Sequence, residues 1–152
     1  MKKESKKPAN YFEGFLQLRD CSKEVLAFAR EVMDKDGCGV AKEERLKGRK
    51  GSIDFWVSSN KTLQKLARQL PNEFTGIVRS SSTLHTRDNQ TSKELYRGTV
   101  LFKQIPFSIG DDVNYRGDEY LLVSVHGERV ELKDMKTGRR KSVKGEEIYQ
   151  LR

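Results

Sequence analysis

The sequence predicts an α+β protein in two units: a two-helix, four- to five-stranded α/β sandwich-like domain, followed by a small SH3-like β-barrel. Two observations support this fold class. Up to residue 105, segments with a helical period alternate with segments of period two, in the order β-α-β-β-α-β-β. After Pro106 the helical period stops, and short apolar strands are separated by Gly-containing turns. We therefore predict a flexible basic tail over 1–10, an α+β domain over 11–105 and a β-barrel domain over 106–152.

The first strand and helix follow the lysine-rich start of the chain. In YFEGFLQLR, Phe12, Leu16 and Leu18 fall on one face, which predicts a half-buried strand. The next segment, SKEVLAFAREVMDKDG, carries apolar residues at helical spacing. Ser22 is placed to cap the start of this helix, and Gly37 is placed to end it.

The middle of the chain predicts a hairpin, a second helix and two longer strands. In GVAKEERLKGRKGSIDFWVSS, a charged strand and an apolar strand are joined by a basic turn at Gly48–Gly51. The segment NKTLQKLARQLP predicts an amphipathic helix that ends at Pro71. Two further strands are expected near Thr75–Leu84 and Glu94–Ile105. Two helices with this many strands predict a sheet that is covered on one face and open on the other.

The second unit is predicted from alternating apolar residues between turns. Its expected core residues are Val113, Tyr115, Tyr120, Leu122, Val125, Val130, Leu132, Val143 and Ile148. Strands this short and this numerous are typical of a small closed or partly open barrel.

Charge is the dominant feature of the composition. The 152 residues include 30 Lys+Arg and 22 Asp+Glu, giving a net charge of +8 and a pI near 9.5. A basic chain favours polyanionic partners, because each neutralised phosphate releases condensed counterions. No apolar run approaches the roughly 18 residues of a membrane span, and no apolar segment follows the basic start as in a secretory signal. With Cys21 and Cys38 giving no disulfide framework, we predict a cytoplasmic location.

Residues that would support catalysis or metal binding are sparse. Cys21 and Cys38 are far apart and form no Cys-x-x-Cys pair, so no zinc site is predicted. His85 and His126 stand alone beside turn residues, where a solvated loop position is the simpler interpretation. We find no phosphate-binding loop and no clustered acid, base or nucleophile. The sequence therefore predicts a protein that is not an enzyme and uses no cofactor, metal or small-molecule substrate.

Basic residues concentrate in the tail and in two turns. The candidate RNA-binding residues are Lys47, Arg49 and Lys50 in the first turn, and Lys136, Arg139, Arg140, Lys141 and Lys144 in the segment KTGRRKSVK. Arginine forks suit phosphate oxygens, and Gly-containing turns allow close backbone approach. Each turn alone is equally well explained as a solvated surface. Together they favour nucleic acid, and RNA over DNA because neither helix resembles a recognition helix.

Three aromatic residues fall outside the core phase of their strands. Tyr11, Phe15 and Trp56 are expected on the open face of the sheet. Such a face can stack unpaired bases, at ~1–3 kcal/mol per base. Because the RNP1 pattern of RNA-recognition sheets is missing, we favour contact with a partner protein or with the second unit.

Several segments occur in an order that characterises one family. They are YFEGFLQLR, GSIDFWVSSNKTLQKLARQL, a strand with SSSTL, LYRGTVLFKQIPFSIGDDV and a closing TGRRKSV. From Tyr11 onward the chain resembles the archaeal and eukaryotic Nmd-type large ribosomal subunit export adaptor, which is also described as affecting ribosome stability and mRNA decay. The resemblance implies a non-enzymatic protein on the subunit-joining face of the large subunit. It also implies that residues 108–152 are the SH3-like half of a region similar to translation factor five A.

The family begins with a zinc domain built on Cys-x-x-Cys pairs, which do not precede Tyr11 here. We expect a shortened archaeal form, a form whose zinc domain is a separate polypeptide, or a degenerate paralogue. The predicted function is a ribosome-associated factor that binds rRNA and proteins of the large subunit, in assembly or quality control. The predicted partners are that subunit and, under the second alternative, a zinc-domain protein, with no membrane contact. The alternative function is a protein-interaction adaptor that uses the open aromatic face without touching RNA.

Overall fold

The computed structural model describes residues 11–87 and 94–144. Its elements, in chain order, are β1 Gly14–Arg19, α1 Lys23–Lys35, β2 Val40–Arg45, β3 Ile53–Val57, α2 Asn60–Glu73, β4 Gly76–Arg87, β5 Glu94–Gln104, β6 Asp112–Tyr115, β7 Asp118–His126, β8 Arg129–Asp134 and β9 Arg140–Lys144. The α+β class and the predicted order of the first seven elements are confirmed. The predicted tail over 1–10 lies outside the described residues.

The first sheet has five strands in the order β2-β3-β1-β5-β4. β1 and β5 are parallel, and every other pair in this sheet is antiparallel. β1 is the central strand because it is third of the five. Leu16 pairs with Phe55 on one neighbour and Val100 on the other, and all three side chains are fully buried. Burying each such side chain contributes roughly 1.5–3 kcal/mol. This core holds the sheet and the helices together.

The helices pack their apolar stripes on this face. Val25, Ala29 and Val32 of α1 are buried, as are Leu63, Leu66 and Leu70 of α2. The helices are also joined where α1 ends. Asp36, the C-cap of α1, accepts hydrogen bonds from Lys65 Nζ and Thr62 Oγ1 of α2, both at 3.1 Å. The hydrogen bond from Lys65, followed by that from Thr62, holds the pKa of Asp36 below its usual value.

The predicted helix ends are confirmed at Ser22 and Gly37, but the predicted end at Pro71 is wrong. The Ser22 side chain accepts from the Val25 backbone N–H, and Gly37 has a φ of 69° just beyond α1. Pro71 lies inside α2, which continues to Glu73. A proline removes one backbone donor without preventing the residues after it from completing the turn. Here the Phe74 N–H still donates to the Leu70 carbonyl at 2.9 Å.

The second sheet is an antiparallel meander in the order β6-β7-β8-β9. The predicted SH3-like barrel is not confirmed, because within the described residues β6 and β9 are the two edges of an open sheet. Of the expected core residues, Val113, Tyr115, Tyr120, Leu122, Val130, Leu132 and Val143 are buried together and Val125 packs partly against them. Ile148 lies outside the described residues.

Two residues of the first sheet complete the second core. Ile77 of β4 and Ile105, which follows β5, belong to the buried cluster of the second sheet. The Val78 N–H donates to the Gly127 carbonyl at 2.9 Å beside them. The first sheet therefore covers part of the apolar face of the second sheet.

Neither α1 nor α2 combines the length and the hydropathy that a membrane-spanning helix requires, and the described residues contain no other helix.

Candidate nucleic-acid and partner interface

The basic tip of the β2–β3 hairpin is anchored to the loop between β1 and α1. Gly48 and Gly51 have φ values of 73° and 75°, as the predicted turn requires. The Cys21 N–H donates to the Gly51 carbonyl at 2.9 Å. Lys47 and Lys50 are exposed on this turn. The tip is therefore fixed to the β1–α1 loop by this hydrogen bond, and its lysines are exposed to solvent.

Asp20 connects this tip to the sheet. Its Oδ2 lies 3.6 Å from Arg49 Nη2 and 3.0 Å from Lys103 Nζ. The Lys103 side chain is only 8% exposed, and the Asp20 carboxylate compensates its buried positive charge. Asp20 also has a φ of 53°, a left-handed conformation that aspartate tolerates better than most residues. Arg49, which the sequence predicts to bind RNA, is thus partly engaged by the Asp20 carboxylate. The sequence analysis did not identify Lys103 as part of this charged cluster.

The turn between β8 and β9 is stabilised by Asp134. Its Oδ1 accepts from the backbone N–H groups of Lys136 at 2.8 Å and Thr137 at 3.2 Å. These backbone donors lower the pKa of the Asp134 carboxyl, which is therefore ionised at neutral pH. The Gly138 N–H closes the turn by donating to the Asp134 carbonyl at 2.8 Å. Lys136 and Arg139 are held on a defined, exposed turn.

The outer face of the β8–β9 ribbon carries two cross-strand pairs of cations. Arg129 lies opposite Lys144, and Lys133 lies opposite Arg140. Residues directly opposite in an antiparallel pair project from the same face. Between the pairs, Glu131 accepts from Arg140 at 3.5 Å. We define Arg129, Lys133, Arg140 and Lys144 as the ribbon cations.

Sequence reasoning predicted Arg140 and Lys144 but missed Arg129 and Lys133, because only the strand register shows that they share a face. It also grouped Lys141 with the others. In the structure Lys141 lies opposite the buried Leu132, and its Nζ is 5.3 Å from the centroid of the Tyr115 ring. Lys141 therefore belongs to the edge of the inner face rather than to the ribbon cations.

An aromatic row crosses the open face of the first sheet. Phe15 lies directly opposite Trp56, with ring centroids 5.6 Å apart, and Phe12 lies 5.2 Å from Phe15. Each end is covered by a cation: Lys42 Nζ is 4.9 Å from the Trp56 centroid, and Arg97 Cζ is 3.9 Å from that of Phe12. We call these rings the aromatic row. Phe15 and Trp56 are half-buried and belong to neither core cluster.

One sequence expectation changes at this row. Phe12 was expected on the core face with Leu16, but β1 begins only at Gly14, so the period of two does not extend back to Phe12.

Tyr11, which the sequence groups with Phe15 and Trp56, lies before β1. Its hydroxyl donates to Glu13 Oε2, and burial together with that carboxylate raises the pKa of Tyr11 to about 12.

Both cysteines are free thiols, with Cys21 half-buried and Cys38 buried. Burial raises the pKa of the Cys21 thiol to about 11, which leaves the thiol protonated at neutral pH. Among residues 11–87 and 94–144, no group of three or more His, Cys, Asp or Glu side chains is arranged to hold a metal ion.

Two sheets that share an interface and carry exposed basic turns define an α+β protein with cationic edges. A family model described as NMD3, second domain, matches residues 11–103, which is more than half of the chain. The chain therefore belongs to the NMD3 family, and the resemblance predicted from the sequence is confirmed. No curated protein matches the chain significantly. Membership of this family associates the protein with the large ribosomal subunit and its export.

Proposed function

We propose that the protein is a non-enzymatic factor that binds rRNA and proteins of the large ribosomal subunit during assembly or quality control. The observation that carries this proposal is the family match over residues 11–103, which includes β1 and the hairpin tip. In this proposal the protein acts in the cytoplasm without a cofactor. Fractionation of cells that express a tagged chain tests the location, and recovery outside the cytoplasm would contradict it.

The ribbon cations and the β8–β9 turn are proposed to contact phosphates. The side chains of Lys136 and Arg139 are exposed, and their turn is fixed by the hydrogen bonds of Asp134. A fixed turn loses less conformational entropy on binding than a mobile one. Successive cross-strand pairs along the ribbon, from Arg129 to Lys133, are separated by four residues, or roughly 13 Å of strand. That length lets the two pairs meet different phosphates.

Sedimentation and salt dependence test this assignment. The purified chain is expected to co-sediment with isolated large subunits in a sucrose gradient at low salt and to dissociate steeply as salt rises. For binding to a large-subunit rRNA fragment, the double variant Arg139→Ala with Arg140→Ala should flatten the logarithmic salt slope by about 1.4, because each lost contact to a single strand contributes about 0.7. A chain that stays at the top of the gradient at low salt would overturn the ribosomal proposal.

A matched control removes the same charge elsewhere. Lys61 and Arg68 are exposed on α2, away from both basic turns. The variant Lys61→Ala with Arg68→Ala should keep the salt slope of the unmodified protein to within a few tenths. An equal loss of slope in both double variants would mean that net charge, and not the β8–β9 turn, determines RNA affinity.

The aromatic row supports a second candidate function, a protein-interaction adaptor without direct RNA contact. Phe15 and Trp56 lie outside both cores, and cations of the same chain cover Trp56 and Phe12. A base could stack there only by displacing those cations, so a protein surface is the better match. If this function is the correct one, Trp56→Ala abolishes co-sedimentation, while the Arg139 and Arg140 double variant leaves both affinity and salt slope unchanged.

A further inference from the structure

A cleft opens at the carboxyl ends of β1 and β5, the two parallel strands of the first sheet. Its volume is about 830 Å³, which is within the range of ligand-binding pockets. It is bounded by the start of α1, the tip of the β2–β3 hairpin and the segment that follows β5. We call it the β1–β5 cleft. Of the candidate RNA-binding residues only Lys50 lines this cavity, whereas Gly51, Asp20 and Lys103, which anchor the hairpin tip, form part of its wall.

The interior of the β1–β5 cleft is apolar and mostly aliphatic. Leu26, Ile53, Ile105 and Phe107 line it, together with Pro106. Ile53 and Ile105 are buried, whereas Leu26 and Phe107 are half-buried and accessible from the cleft. Such a surface favours an inserted apolar group, because contact removes apolar area on both sides from water.

The rim of the cleft is cationic. Among the described residues, four cations line the cleft, the exposed Lys23, Arg45 and Lys50 and the buried Lys103, together with the carboxylate of Asp20. That carboxylate is already engaged by Lys103 at 3.0 Å. Lys23, Arg45 and Lys50 are exposed at the entrance. The charge that a ligand meets there is therefore positive.

We propose that the β1–β5 cleft binds an acidic segment of a partner protein, with an apolar side chain of that segment inserted between Leu26 and Phe107. Charge complementarity selects the acidic segment, and the aliphatic interior selects the apolar anchor. A nucleotide would satisfy the cations, but base recognition relies on aromatic stacking faces. Phe107 is the one aromatic ring among the described lining residues, and it packs partly against the second core. This proposal goes beyond the ribosomal function, since it assigns a peptide ligand to a separate cavity.

Fluorescence polarisation with the full chain tests it. The probe is a short fluorescein-labelled peptide in which a central Leu-Phe pair is flanked by glutamates. We expect saturable binding that weakens about tenfold when the central pair is replaced by alanines, and at least as much when the glutamates are replaced by glutamines. An unlabelled single-stranded oligouridine serves as the competitor for the nucleic-acid alternative.

Matched variants locate the site. Lys50→Glu should weaken peptide binding about fivefold, whereas Lys47→Glu, on the same turn but outside the cleft lining, should change it less than about twofold. Leu26→Gln should weaken binding, whereas Leu121→Gln, a half-buried leucine of β7 outside the lining, should not. Thermal denaturation checks that the leucine variants remain folded, and Lys50→Glu provides the test if they do not.

The outcomes separate this proposal from the ribosomal one. The variant with Arg139→Ala and Arg140→Ala should bind the peptide normally even though its RNA salt slope falls. Three outcomes would each overturn the acidic-segment proposal. They are the absence of saturable peptide binding, equal effects of Lys50→Glu and Lys47→Glu, and displacement of the peptide by oligouridine with the same dependence on Lys50. None of these results bears on co-sedimentation with the large subunit.

Discussion

The contact between the hairpin tip and the β1–α1 loop can be measured with one pair of glycine variants. Gly48 and Gly51 lie in the same turn with φ values of 73° and 75°, so an alanine at either position must adopt the left-handed backbone conformation. That conformation costs about 1–2 kcal/mol for an L-residue. A Cβ at Gly48 meets nothing within 4 Å, but a Cβ at Gly51 would lie 2.2 Å from the Cys21 carbonyl oxygen. The difference between the variants therefore isolates the contact with Cys21.

The β1–α1 loop cannot easily move away from a Cβ at Gly51. The Cys21 Sγ lies 3.3 Å from the Arg19 carbonyl oxygen, and the Ser22 N–H donates to Gln104 Oε1 at 2.7 Å. Gly51→Ala must therefore displace the hairpin tip and lose the hydrogen bond from Cys21 to Gly51, at a cost of about 0.5–1.5 kcal/mol. Together with the cost of the left-handed backbone, this loss should make Gly51→Ala lower the free energy of unfolding by about 3 kcal/mol. Gly48→Ala, which has only the backbone cost, should lower it by about 1 kcal/mol.

Urea denaturation followed by Trp56 fluorescence and by circular dichroism measures both variants. The chain has one tryptophan, and it lies in β3, directly after the hairpin tip. With unchanged m-values, the unfolding free energies of the two variants should differ by about 2 kcal/mol. In thermal denaturation the same difference corresponds to roughly 4–8 °C in Tm. Equal unfolding free energies for the two variants would refute the reasoning, because they would show that the tip does not depend on its contact with Cys21.

Three further changes test other parts of the structure. Asp20→Asn should lower the free energy of unfolding by about 1–2 kcal/mol in urea titrations, because the buried ammonium of Lys103 then loses its ion pair with Asp20; an unchanged midpoint would contradict the role of that pair. The lowered pKa of Asp36 means that its stabilising contribution is present above the unfolded pKa and is lost as pH falls through the folded value. Asp36→Asn should therefore be less stable than the unmodified protein at pH 7, and the two urea midpoints should converge in strong acid; a constant difference would exclude this linkage. A double-mutant cycle of Phe15→Ala and Trp56→Ala should give a coupling of about 0.5–1.5 kcal/mol, and additive effects would show that the rings do not interact energetically.

Several parts of the fold were predictable because their signals are local in sequence. The Ser22 cap, the helical spacing of Leu63, Leu66 and Leu70, and the turn glycines of the hairpin depend on residues a few positions apart. The alternation of apolar and polar residues along the strands of the second unit likewise predicted the core of that unit. Pro71 was misread because a proline in the last turn of a helix resembles one that ends it.

The candidate site was only partly predictable. The basic turns were found because the cations of each turn lie within a few residues of one another in the sequence. Arg129 and Lys133 were missed because they join Arg140 and Lys144 only through the register of β8 and β9.

The sequence by itself therefore determined the α+β class, the order of elements, most of the two cores and the resemblance to the NMD3 family. Each of these depends on periodicity, capping or ordered similarity along the chain. Only the tertiary structure decided that Ile77 and Ile105 of the first unit complete the second core, whose sheet within residues 94–144 has β6 and β9 as its edges. It also decided that Lys103 is buried against Asp20 and that the parallel pairing of β1 and β5 opens the β1–β5 cleft. The physical reason is that these contacts join residues distant in sequence, and their energies depend on distance and burial that no local pattern records.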